Sequence, residues 1–250
     1  MDGKFAELCG IIAGDGHLGR VVNSANSKRN DYIITISGNK TEDLEYYNHV
    51  SSLFHDVFNK KLCLRIAHDE LVMYAHSKRV LEQFENAGIT VGKKAKTVFI
   101  PKIILNDEVY SRAFLRGLAD TDFSMTFKKA GRKFHSYPKI VAELASRQII
   151  EDIKIILQRI GINYLEYFID RQTNFGHKQT YRIEILGKKN LQVWMNLVGF
   201  KNPKHLTKIK VWEKCGYCPP FTTILERKKI LEGKLPVPQI PTAGFEFANY

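Results

Sequence analysis

Two aspartates, Asp15 and Asp122, each close a short apolar segment in which small residues recur at every fourth position. The small residues are Ala6, Gly10 and Gly14 in the first segment, and Ala113, Gly117 and Thr121 in the second. Residues four apart share one face of a helix. A glycine inside a helix costs on the order of 1 kcal/mol relative to alanine, so it indicates a closely approaching partner helix. We therefore predict two helices packed along these residues, with the aspartates side by side at their ends.

Paired carboxylates at two helix ends have a specific chemistry. They repel each other, and a helix C-terminus already carries partial negative charge. A divalent cation would reverse this penalty, and carboxylate oxygens with water suit Mg²⁺. Ions held in this way can activate water and stabilise the leaving oxygen of a phosphodiester. The alternative is that Asp15 and Asp122 are helix-end caps in a purely structural duplication.

The elements around each aspartate form the same pattern twice. Alternation with a period of two predicts four strands in each half, and spacing of three and four predicts helices between them. The predicted strands are 20–24, 32–37, 62–67 and 71–76, then 124–129, 139–144, 164–170 and 180–186; helices are predicted near 41–58 and 147–160. Pro101 marks a linker. We predict an α+β fold with a first repeat at 1–100, a second repeat at 101–205 and a C-terminal extension at 206–250.

The charge of the chain indicates a polyanionic partner. Lys plus Arg number 38 against 26 Asp plus Glu, which gives a net charge of +12. Such an excess favours nucleic acid first and an anionic membrane second. No apolar stretch is long enough to span a bilayer, and the acidic start does not resemble a signal peptide. With only four cysteines, we expect a reducing, cytoplasmic setting.

Polar side chains on the predicted strands and turns are candidates for DNA contact. Arg and Gln can make bidentate contacts to purine edges, and Lys mainly holds phosphate. The candidates are Arg20, Asn23, Lys28, Arg29, Lys128, Lys129, Arg132, Lys133, Lys139, Arg171, Gln172, Lys178, Gln179 and Arg182. The alternative for this set is the polar face of an ordinary sheet.

The segments LCGIIAGDG at 8–16 and LRGLADTDF at 115–123 resemble the two motifs of a single-chain LAGLIDADG homing endonuclease. The resemblance implies an αββαββα repeat in each half, with two antiparallel sheets forming a saddle on double-stranded DNA. It implies a monomeric, site-specific endonuclease that cuts both strands across the minor groove. Mg²⁺, with Mn²⁺ as a possible substitute, would be held by Asp15 and Asp122 beside Gly14 and Thr121. Asn39 and Lys40 match the family's supporting catalytic positions.

Some positions depart from the family pattern. Ser146 stands in the second repeat where Lys40 stands in the first, so Arg147 or Lys128 would have to substitute. Nicking, or loss of cleavage, is therefore open. The alternative function is a non-cleaving binder, either a maturase acting on intron RNA or a DNA-binding regulator. The chain lacks an N-terminal Cys or Ser and a C-terminal His-Asn, so we expect an intron-encoded or free-standing protein rather than an intein.

Two further features are secondary to the motifs. Asp120 lies on a different helix face from Asp122, and we predict a solvated or capping group there, with a metal ligand as the alternative. Cys215 and Cys218 form a single Cys-x-x-Cys pair, which is weak support for zinc because two more ligands would be needed. Packed free thiols are the alternative for this pair.

Overall fold

The computed structural model describes residues 1–22, 30–67, 70–132, 134–173 and 176–237. The first repeat contains α1 (Gly3–Ala13), β1 (Gly16–Val22), β2 (Asn30–Asn39), α2 (Leu44–Phe58), β3 (Cys63–Ala67), β4 (Glu70–His76) and α3 (Lys78–Asn86). After α4 (Lys102–Leu105), the second repeat contains α5 (Glu108–Asp122), β5 (Phe123–Lys128), β6 (Tyr137–Leu144), α6 (Arg147–Arg159), β7 (Tyr164–Thr173), β8 (Gly176–Leu186) and α7 (Lys188–Leu197). The predicted α+β order of each repeat is confirmed.

Each repeat has an antiparallel four-stranded sheet of the same topology. The strand orders are β1-β2-β4-β3 and β5-β6-β8-β7. The residue after each motif aspartate starts the first strand, with Gly16 opposite Ile36 and Phe123 opposite Ala142. Ser146 therefore lies as far beyond Ala142 as Lys40 lies beyond Ile36. The two strand registers thus support the equivalence of Lys40 and Ser146.

One face of each sheet packs against the helices, and we call the opposite face the open face. In the first sheet Leu18, Ile34 and Met73 point into the core; in the second, Met125 and Ile140 do so. Because side chains alternate along a strand, the intervening residues lie on the open face. A continuous apolar core runs through both repeats. The two open faces are therefore available for a ligand.

The motif helices α1 and α5 pack with their main chains in contact. A Cβ built at Gly10 would lie 2.0 Å from the carbonyl oxygen of Phe114, and one built at Gly117 would lie 2.2 Å from that of Glu7. Only glycine permits this approach. The carboxylate of Glu7 is buried in this interface and accepts hydrogen bonds from Arg116, while His49 Nε2 lies 2.8 Å from it. The close helix contact predicted from the small residues is thus present.

The C-terminal extension packs on the second repeat and reaches the first. It contains α8 (Pro203–Cys215), which crosses the predicted boundary at 205, and α9 (Ile224–Leu231). Val211, Cys218 and Ile230 form a small core of their own. Lys228 of α9 forms an ion pair with Glu45 of α2. Within the described ranges, no helix is long and apolar enough to cross a membrane.

Candidate active site

The two motif aspartates lie together between the repeats, and we call them the carboxylate centre. Asp122 is the last residue of α5, and Asp15 follows α1 in the turn to β1. Gly14 makes room between them, because a Cβ there would lie 2.1 Å from Thr121 Oγ1 and 3.1 Å from Asp122 Oδ1. The glycine contact between α1 and α5 thus fixes where both carboxylates sit.

Burial makes the charged form of both carboxylates costly. Burial first, and the nearby charge of Asp15 second, raise the pKa of Asp122 to about 7, against the opposing effect of two lysines. Burial also raises the pKa of Asp15. Since a cation between two carboxylates favours their charged form, this centre is electrostatically suited to bind one.

Lys94 lies against the end of α1 and was missed in the sequence. Its ammonium donates to the carbonyl oxygens of Ile12, Ala13 (2.6 Å) and Gly14 (2.6 Å). These are carbonyls that a helix C-terminus leaves without partners, where a cation is favourable. Burial lowers the pKa of Lys94 to about 8, although the charges of Asp122 and Asp15 oppose this shift. Lys94 is therefore a cation built into the carboxylate centre.

Lys204 is the counterpart of Lys94 at the end of α5. Its ammonium lies 3.3 Å from the carbonyl oxygen of Thr121 and 3.3 Å from Oδ1 of Asp43. Both lysines follow the last predicted helix of their repeat: Lys94 lies in an irregular segment, and Lys204 lies in the first turn of α8. A sequence signal that could have indicated them is their similar position in the two repeats, six residues after Gly88 and five after Gly199.

A buried polar network joins Asp43 of the first repeat to the start of α8. The side-chain amide of Asn202 donates to Asp43 Oδ1 (2.9 Å) and to the carbonyl oxygen of Asp120 (3.0 Å). The carboxylate of Asp120 accepts the backbone N–H groups of Lys201 and Asn202. Asp120 is fully buried, so the prediction of a solvated group is wrong, and the capping alternative describes its contacts.

The donor atoms of the centre fit a hard divalent cation. Gly14 and Thr121, which the sequence prediction places at the metal site, have carbonyl oxygens that each accept a hydrogen bond from a lysine ammonium. A carbonyl oxygen has two lone pairs, so one remains for a metal ion. Across the described ranges, no group of three or more His, Cys, Asp or Glu side chains is placed to hold a metal. An ion bound by Asp15 and Asp122 would therefore keep several waters, as Mg²⁺ commonly does.

The supporting positions differ between the repeats. Asn39 Oδ1 accepts hydrogen bonds from Thr41 and Glu42 and so closes the turn after β2, while Lys40 is exposed in that turn. In the second repeat Ser146 is buried and donates to the carbonyl oxygen of Val98 (2.6 Å). The hydroxyl of Ser146 therefore makes a structural hydrogen bond. The catalytic roles of Asn39 and Lys40 stay predictions.

The open face of the second sheet carries half of the DNA-contact candidates that the structure describes. By strand alternation and register, these are Lys128, Lys139, Arg171, Lys178 and Arg182. Two carboxylates share this face. Glu143 accepts from Arg182 Nε (2.9 Å) and Nη2 (2.5 Å), and Glu184 accepts from Lys139 (2.5 Å). The face is thus cationic, with individual cations held in place by glutamates.

Other candidates lie elsewhere. Arg20 shares the helix-packed face of β1 with Leu18 and forms an exposed ion pair with Glu85 of α3, so its placement on a DNA-facing surface is a correction to the sequence prediction. Gln172 and Gln179 alternate away from the open face, and Gln179 donates to Asp170. Lys129 and Arg132 lie in the turn between β5 and β6. Asn23, Lys28, Arg29 and Lys133 lie outside the described residues.

The fold and the paired aspartates define a two-repeat α+β protein whose motif helices meet at a carboxylate centre. Residues 110–199 match the model of the LAGLIDADG-like domain family. The homing endonuclease I-DmoI in complex with DNA and Ca is similar in structure, with a TM-score of 0.59 and 15% identity over 83% of this chain and 97% of that one. A mutant of I-SmaMI gives a TM-score of 0.54 and 12% identity over 94% and 99% of the two chains. The resemblance to the LAGLIDADG family, in its single-chain two-repeat form, is confirmed.

Two curated proteins contain a segment similar to most of this chain. The replication factor C small subunit of Methanocaldococcus jannaschii is 30% identical over 207 residues, which is 82% of this chain and 10% of that protein. An A-type ATP synthase subunit from Pyrococcus abyssi is 24% identical over 193 residues, 77% of this chain and 16% of that protein. The chain thus matches only a small part of each relative's length.

Proposed function

We propose that this protein is a site-specific double-strand DNA endonuclease that hydrolyses phosphodiesters across the minor groove with divalent metal ions. The carboxylate centre carries the proposal. It places Asp15 and Asp122 together, beside Lys94 and between two sheets with open faces. A structural duplication alone does not require buried like charges at this point, because their burial is unfavourable.

The solved relatives support the parts of this proposal. Structures of I-DmoI contain DNA together with Mn or Ca, and another contains its target DNA in the presence of Mg. We infer that this protein binds double-stranded DNA as a monomer and uses Mg²⁺, with Mn²⁺ as a substitute. Intron homing and an intracellular location belong to the same proposal.

Different residues of the chain would have different roles in hydrolysis. The carboxylates of Asp15 and Asp122 and the carbonyls of Gly14 and Thr121 would hold the metal. When bound, the metal supplies an activated water and stabilises the leaving oxygen. Lys94 and Lys204 place positive charge where the phosphate gains negative charge. A pKa of about 8 also lets Lys94 exchange a proton near neutral pH. Asn39 and Lys40 would orient water in the first repeat.

The test is cleavage of DNA with Mg²⁺ or Mn²⁺. A target duplex recovered from a randomised pool by repeated binding serves as substrate. The variants D15N and D122N are expected to lose cleavage and to keep DNA binding, because the open faces are unchanged. Lys102 is exposed on α4, away from the centre, and K102M serves as the control. If both aspartate variants cut at the wild-type rate, the assignment of the centre is wrong.

A second candidate function is a non-cleaving binder, of DNA or of intron RNA. The observation that favours it is Ser146, which leaves the second repeat without the basic residue of the first. Tight binding of the selected duplex with no cleavage under either metal would favour this candidate. Preference for a structured intron RNA over the duplex would favour the maturase form.

A further inference from the structure

A cavity beside Asp122 is lined by residues of both repeats. Its volume is about 430 Å³, and it lies between the ends of α1 and α5 and strands β6 and β8. The polar or chemically relevant residues that line it are Gly14, Lys94, Asp122, Glu143, Lys178 and Thr180. The cavity thus joins the carboxylate centre directly to the open face of the second sheet.

The second repeat lacks the side chains that the first repeat offers at the same place. By the strand registers, Ala145 of the second repeat is equivalent to Asn39 of the first, and Ser146 is equivalent to Lys40. Ala145 lines the cavity but has no polar side chain, and Ser146 is buried on the carbonyl of Val98. Arg147 is exposed at the start of α6 and is not among the cavity residues. If a basic group acts in this repeat, it must come from another element.

Lys178 of β8 is the basic residue of the second sheet that lines the cavity. It lies two residues before Thr180 and so on the same open face. Thr180 and Arg182 both donate hydrogen bonds to the carboxylate of Glu143, at 2.9 Å from Thr180 Oγ1 and 2.5 Å from Arg182 Nη2. Lys178 is exposed and lies beyond this cluster, towards the end of the sheet. Its side chain is therefore free to extend towards a ligand in the cavity.

The arrangement of cations around Lys178 favours an anion. Arg171 lies directly opposite Lys178 on β7, and like charges in cross-strand positions destabilise a sheet. Glu143 is 4.0 Å from Arg171, but its oxygens already accept from Thr180 and Arg182. Lys94 adds a further cation on the other side of the cavity. A phosphodiester would offset this concentration of positive charge.

We propose that this cavity binds the scissile phosphodiester of one DNA strand, and that Lys178 is the catalytic cation that replaces the missing basic residue at Ser146. This inference rests on the proposed endonuclease function. The first repeat would use Lys40 from the β2 turn, and the second would use Lys178 from β8. The two strands of a target would thus be cut with the help of lysines from different elements.

The experiment compares K178M, K178R and K40M with wild type on a binding-selected duplex whose strands carry different end labels. K178M is expected to slow the cutting of one strand about 10²-fold and to accumulate nicked product. K40M should slow the other strand, and K178R should restore part of the rate. K102M, which removes the same charge from exposed α4, should cut both strands normally. A second measurement is the salt dependence of DNA binding, whose slope should fall by about 0.9 in K178M.

The outcomes separate this inference from the endonuclease proposal. If wild type cuts both strands, and K178M cuts the two strands at the same rate as each other, Lys178 is not the strand-specific cation and the inference is overturned. If wild type binds the duplex but cuts neither strand, the endonuclease proposal fails. The salt slope then decides whether Lys178 contacts phosphate: an unchanged slope in K178M overturns the inference, and a reduced slope supports the phosphate contact.

Discussion

Replacement of Gly10 by alanine is expected to push the two motif helices apart. The new Cβ would lie 2.0 Å from the carbonyl oxygen of Phe114 and 2.9 Å from the backbone nitrogen of Leu118. Close carbon–oxygen contacts in proteins lie at about 3.3 Å, so the separation must grow by about 1 Å. Both obstructing atoms belong to the main chain, which cannot move aside by a rotamer change.

The magnitude follows from two opposing effects. Alanine in place of glycine favours a helix by about 1 kcal/mol. Overpacking that forces side-chain and backbone shifts costs about 1–3 kcal/mol, and the upper end applies here because both obstructing atoms are main-chain atoms. We expect G10A to lower the free energy of unfolding by about 2 kcal/mol, and Tm by about 4–8 °C for a chain of this size. G117A should behave alike, because its Cβ would lie 2.2 Å from the carbonyl oxygen of Glu7.

Thermal unfolding followed by circular dichroism measures this effect. Gly3 is the matched control in the same helix, since a Cβ there meets only Val109 Cγ1 at 3.9 Å, an ordinary contact. G3A should melt at or slightly above the wild-type temperature. Because Asp15 and Asp122 sit at the ends of the displaced helices, G10A should lose more cleavage than DNA binding. A G10A protein that melts at or above wild type would refute the main-chain contact.

Three further predictions concern charged groups. K94M should reduce single-turnover cleavage roughly 10²-fold with little change in DNA binding, because its ammonium lies beside both aspartates; an unchanged rate would remove Lys94 from the site. Glu143 holds one edge of the Arg182 guanidinium, so E143Q should relax the preference for one base in binding selections, by about 1–3 kcal/mol as for a bidentate contact; an unaltered profile would contradict this. Burial raises the pKa of Glu7, but its hydrogen bonds with His49 and Arg116 hold that pKa below its usual value. Its ion pair therefore adds stability above the unfolded pKa, which is lost as pH falls through the lower folded value, so the Tm difference between wild type and E7Q should be large at pH 7 and shrink below pH 4; a constant difference would argue against an ion pair.

The elements that follow simple periodicity could be predicted from sequence. Glycine at four-residue spacing indicated the contact of α1 with α5, and alternation indicated strands such as β6 and β8. These signals work because packing imposes a period on the residues that it buries. The equivalence of Lys40 and Ser146 also followed from the repeat.

The site was less accessible to such reasoning. Lys94 lies in an irregular segment and Lys204 in the first turn of α8, beyond the repeated strands, so no shared period marks either residue as functional. Arg20 alternates onto the helix-packed side of its strand because Leu18 sets the register, and a list of basic residues does not contain that information. The burial of Asp120 depends on the backbone of residues 201 and 202, which is a contact distant in sequence.

The contact between α1 and α5 has a consequence for building hybrid proteins from two repeats. Its closest contacts use main-chain atoms, which are the same in any relative that keeps the two glycines. A half taken from a protein that keeps these glycines is therefore expected to pack on either half of this chain, which would combine the open sheet faces of two proteins. Such an exchange has one further requirement. Asn202 and Lys204 at the start of α8 both donate to Asp43, so a transplanted first half needs a hydrogen-bond acceptor at the position of Asp43.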